Sequence, residues 1–67
     1  MAHKAKIGEI QVVLRGRQWC LYKVDSVNDK GEAMGAVPTG ECFYDRKDAL
    51  HRAFELNNWK IPEGGFR

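Results

Sequence analysis

A chain of 67 residues holds one domain with a thin core, because so short a chain buries only about 60% of the surface its unfolded form exposes. Its 43% hydrophobic and 30% charged residues argue against disorder. The net charge of +2 is too small to name a polyanionic partner, and no run approaches the ~20 apolar residues of a membrane-spanning helix.

From the N-terminus, Met1 is followed by the polar stretch Ala2-His3-Lys4-Ala5-Lys6, and the next apolar run is broken by Gly8, Glu9 and Gln11. That does not read as a secretory leader, and none is expected. The expectation is a cytoplasmic protein with Cys20 and Cys42 as reduced thiols, the alternative being a bridge between them should their strands be neighbours. Residues 1–5 and 63–67 read as flexible tails of a single 1–67 domain.

From Ile7 the pattern alternates, with Ile10, Val12 and Leu14 on one side and Glu9, Gln11, Val13 and Arg15 on the other. Period two marks a half-buried strand. Gly16 supplies a hairpin turn, and Trp19 to Val27 forms a second strand rich in aromatic and β-branched residues. Cys20, Tyr22 and Val24 share one face of it, and Trp19, Leu21 and Lys23 the other. The pattern leaves open which of these faces is buried.

Asn28-Asp29-Lys30-Gly31 is a turn, since Asn, Asp and Gly tolerate left-handed conformations. A third strand over Glu32 to Val37 consists largely of small residues, which fits a strand lying under a helix. Pro38-Thr39-Gly40 should break the ladder, with Glu41 to Tyr44 either resuming at an edge or crossing toward the helix. The helix is the clearest element. Asp45 is its N-cap, Asp48 resembles a capping box, and Ala49, Leu50, Ala53, Phe54 and Leu56 form its apolar stripe. Asn57-Asn58 ends it, and Trp59 and Ile61 should fold back onto the core. The predicted architecture is α+β: a three- to four-stranded antiparallel sheet with one C-terminal helix packed on one face.

Catalytic and metal chemistry find little support. Cys20, Cys42, His3 and His51 lack zinc-ligand spacing. No cleft-forming segment joins a cysteine to His51, and no Gly-rich loop precedes a helix. The chain is expected to be no enzyme and to need no cofactor.

Charge is unevenly placed. Residues 1–23 carry five basic side chains against Glu9 alone, whereas 24–67 carry six basic against eight acidic. Lys4, Lys6, Arg15, Arg17 and Lys23 therefore surround the first hairpin, with Trp19 beside them. Cations around an exposed aromatic strand suit phosphates and bases, and these six residues are the candidate nucleic-acid site. The bland alternative is a solvated charged surface with Trp19 in the core.

The order of elements in residues 7–57 is a strand, a Gly16 turn, a Trp19 strand, the Asn28–Gly31 turn, a small strand, Phe43-Tyr44 and an Asp45-Arg46-Lys47-Asp48-Ala49-Leu50 helix entry. This order resembles small βββα sheet readers: the arm-type DNA-binding domains of tyrosine-family integrases and AP2-like domains. The resemblance implies a sheet that enters the major groove and a helix that braces its back. Trp59-Lys60-Ile61-Pro62 extends beyond it. The leading expectation is a non-catalytic binding module for DNA or RNA. The alternative is a protein-binding regulator or inhibitor, or a homodimerising module.

Overall fold

The computed structural model describes residues 4–66. Strands β1 (Ile10–Arg15), β2 (Gln18–Val27) and β3 (Ala33–Phe43) form one antiparallel sheet in that order, followed by helix α1 (Arg46–Asn57). The fold class is the expected one, with three strands.

The β1–β2 hairpin closes on the pair Arg15 and Gln18. Gly16 has φ of +63°, and Arg17 has no positive φ, the arrangement of a type II′ turn with glycine first. At the β2–β3 turn the Asn28 Oδ1 accepts from the backbone N–H of Lys30 (3.0 Å) and Glu32 (2.9 Å). This side chain replaces backbone partners the loop lacks.

β3 departs from expectation by running unbroken through Pro38-Thr39-Gly40. It is an edge strand, where a missing N–H is tolerated. The extra residues are absorbed as an irregularity between the pairs Cys20–Cys42 and Tyr22–Pro38, and there the Thr39 hydroxyl donates to the Leu21 carbonyl at 3.1 Å. The small segment Ala33 to Val37 is not under the helix. Its alanines are exposed, and a Cβ at Gly35 would stand 2.7 Å from Asp25 Oδ1, so that exposed carboxylate would have to swing aside.

The close approach is made by the helix instead. Ala49 and Ala53, both buried, meet Ile10 and Leu21, with Val12, Trp19 and Phe43 packed around them. Leu21 is completely buried. Asp45 caps α1 by accepting from the Lys47 N–H at 3.0 Å. The far end closes in a Schellman motif: Asn58 is left-handed, its N–H donates to Glu55 O, and the Trp59 N–H donates to Phe54 O. The accompanying apolar contact is the edge-on packing of Trp59 on Phe54 at 5.3 Å, and Phe66 also packs edge-on against Phe54 at 4.8 Å. Trp59 thus folds back onto Phe54 of the helix but stays 39% exposed, outside the core that it and Ile61 were expected to close.

Two segments read as tails are tied down where they are described. The Ala5 N–H donates to Gly31 O at 2.8 Å, and Phe66 joins the aromatic cluster. Residues 1–3 and 67, including His3, lie outside the described residues.

The cysteines are a correction. Cys20 and Cys42 stand directly opposite each other on β2 and β3 and form a disulfide. Spacing 22 residues apart could not reveal this, because the pairing depends on the β3 irregularity that puts both residues in one register position.

Candidate nucleic-acid interface

The face of β2 that the sequence left open is settled by the core. Trp19 and Leu21 point toward α1, and so does the exposed Lys23, cross-strand from the core residue Ile10. Trp19 is half-buried against the core with the Arg46 guanidinium 5.9 Å from its ring centroid. It is therefore no exposed stacking platform on the uncovered face, and Lys23 does not share that face either. Burial wins because so thin a core needs the large apolar area of a Trp.

The opposite face carries Gln11, Val13 and Arg15 from β1, Gln18, Cys20, Tyr22 and Val24 from β2, and Pro38 and Cys42 from β3. It is closed at one end, where Val24 is buried beside Glu9 and exchanges backbone hydrogen bonds with Gly8 and Glu9. The open surface is the half nearer the Gly16 turn. There the Arg15 guanidinium reaches back along the strand to donate to the Tyr22 hydroxyl and lies 5.9 Å from that ring's centroid. Arg17 is exposed at the hairpin tip.

The six predicted residues do not form one cluster. Arg15 and Arg17 are together at the hairpin end. Lys4 packs its stem against Gly31, at the opposite end of the sheet, and Lys6 precedes the Gly8 turn on the same side. Sequence reasoning missed Gln11, Gln18 and Tyr22 on the face of Arg15, and Arg46 behind the hairpin. The β1 alternation, combined with the two-residue turn, could have placed Tyr22 opposite Gln11.

Among the described residues no group of three or more His, Cys, Asp or Glu side chains is placed to hold a metal, and no helix is long and apolar enough to cross a membrane. His51 pairs with Glu55 one helical turn away, at 3.3 Å. Two open clefts flank α1. One of about 330 Å³ is lined by Lys6, Ile7, Leu56 and Trp59. The other, about 350 Å³, runs along the outer edge of β1 past Val12, Trp19, Leu50 and Phe54.

Neither a family model, nor a curated protein, nor a solved structure gives a significant match to this chain.

Proposed function

We propose that the hairpin half of the uncovered sheet face binds nucleic acid, as a non-catalytic module. The observation that carries this reading is Arg15 held against Tyr22 on that face, beside Arg17 at the tip. Tyr22 orients a guanidinium that retains donors for phosphate oxygens or for the O6 and N7 of guanine. Gln11 and Gln18 add the amide groups that pair with adenine edges. A two-stranded ribbon fits the major groove, which is about 12 Å wide. The helix on the other face would brace it, in keeping with the βββα resemblance.

Fluorescence anisotropy with a labelled duplex and a labelled single strand, titrated over salt, tests the reading. Affinity should fall steeply with salt, and Arg15→Ala with Arg17→Ala should reduce the slope by about one unit for each phosphate no longer neutralised. A flat salt response, or variants with the wild-type slope, would remove it.

A protein-binding role is the second reading, favoured by Val13 and Leu14, which are apolar and exposed on β1. Nuclease treatment separates the two, since protein partners survive it. For location, a nucleic-acid ligand favours the cytoplasm, whereas the Cys20–Cys42 bond favours an oxidising setting. Alkylation of thiols in freshly lysed cells distinguishes them.

A further inference from the structure

The Cys20–Cys42 bond lies on the uncovered sheet face and crosses from the central strand β2 to the edge strand β3. Its two ends differ in access. Cys20 is 8% exposed, and Val13 of β1 stands directly opposite it on the same face. Cys42 is exposed, and among the described residues no strand lies beyond β3.

Thiol–disulfide exchange turns this difference into a choice of sulfur. A thiolate attacks one sulfur and expels the other, approaching along the S–S axis from behind the sulfur it attacks. The two cysteines are direct cross-strand partners, so that axis runs across the strands. Approach behind the Cys20 Sγ passes over β1, where the branched Val13 side chain stands. Approach behind the Cys42 Sγ comes in over the outer edge of the sheet.

We infer that Cys42 is a site of reversible thiolation by a low-molecular-weight thiol such as glutathione, with Val13 screening Cys20. The incoming thiolate sulfur bonds to the Cys42 Sγ as the Cys20–Cys42 bond breaks. The electron pair of that bond leaves on Cys20 as a thiolate, which takes a proton from water. The product is a mixed disulfide at Cys42, so the thiol is the one co-reactant consumed. Cys20 is then the resolving thiol. Its attack on the Cys42 Sγ expels the small thiol and restores the original bond.

Contacts that involve no sulfur hold the two cysteines in place for that return. On one side of the pair Phe43 is partnered with Trp19, and both rings pack against the core. On the other, Leu21 has no paired residue on β3, and the Thr39 hydroxyl donates to its carbonyl at 3.1 Å instead. Glu41, next to Cys42, accepts from the Arg52 guanidinium of α1 at 3.1 Å. The segment 39–43 therefore stays anchored to β2 and α1 when the sulfurs part.

Exposure of the native protein to excess reduced glutathione at mildly alkaline pH tests the site. Samples are quenched in acid at early times, alkylated and digested with trypsin. Cys20 and Cys42 fall in separate peptides, because Arg17 and Lys23 flank the first and Lys30 and Arg46 the second. Glutathione should appear on Cys42 in roughly tenfold excess over Cys20, with alkylated Cys20 in matching amount. The rate should be unchanged by urea below the unfolding transition, since attack at Cys42 requires no opening of the fold. Val13→Ala, at a partly exposed site, should raise the Cys20 share several-fold. Adducts divided equally or found mainly on Cys20, a rate that climbs with urea, or a wild-type ratio in Val13→Ala would each overturn the proposal. Nucleic-acid affinity is not part of this readout, so the site stands or falls apart from the binding reading.

Discussion

The Asn57 carboxamide is bonded to both backbone groups of Ile10, acting as a one-residue strand at the edge of the sheet. It joins the last turn of α1 to the first residue of β1, across 47 residues of sequence. The contact fixes the helix along β1.

Asn57→Ala should therefore cost about 1–3 kcal/mol, the range for leaving partly buried backbone groups unsatisfied. Asn57→Asp keeps the acceptor for the Ile10 N–H but sets a carboxylate against the Ile10 carbonyl, and it too should destabilise. Urea denaturation of both variants checks this. Wild-type stability in Asn57→Ala would show that water replaces the amide at no cost.

The core contact between α1 and the sheet depends on two alanines. Leu21→Ala should cost about 2–5 kcal/mol by opening a cavity at a fully buried site. Ala53→Leu should cost about 1–3 kcal/mol by pushing α1 off Ile10 and Leu21. Native domains hold only about 5–15 kcal/mol in all, so the first variant should be partly unfolded on warming. Thermal melts followed by circular dichroism measure both.

Reducing Cys20–Cys42 should lower stability by about 3 kcal/mol, the loop-entropy expectation for a closed loop of this size. Cys42 is exposed, so a reductant reaches the bond without prior unfolding. The melting temperature with and without dithiothreitol, followed by alkylation and mass spectrometry, gives the result. An unchanged melt with fully alkylated thiols would show that the ladder hydrogen bonds alone hold β2 to β3.

Local chemistry was legible in the sequence where one residue determines it. Asp45 and Asn58 mark the helix ends, Gly16 the hairpin, and the alternation of Ile10 to Arg15 the two faces of β1. What depends on register between distant segments was not. The irregularity at Thr39 to Glu41 decides that Cys42 meets Cys20; Pro38-Thr39-Gly40 marks a disruption there but not the register beyond it. Trp19 was ambiguous because both faces of β2 carry large apolar groups; Ala49 and Ala53 decide the matter by drawing the sheet close on one side. Lys4 and Arg17 are both basic and near in sequence to β1, yet the strand separates them by its length.

Recognition by the hairpin half of the uncovered face can be followed residue by residue. Amide chemical shifts of the isotope-labelled protein, titrated with a short DNA duplex and separately with single-stranded RNA, give that map. Shifts should concentrate at Gln11, Val13, Arg15, Arg17, Gln18 and Tyr22 with at least one of these ligands, with little change along the outer side of α1 at His51 and Glu55. Shifts centred on α1, or none with either ligand at low salt, would contradict a binding role for this face.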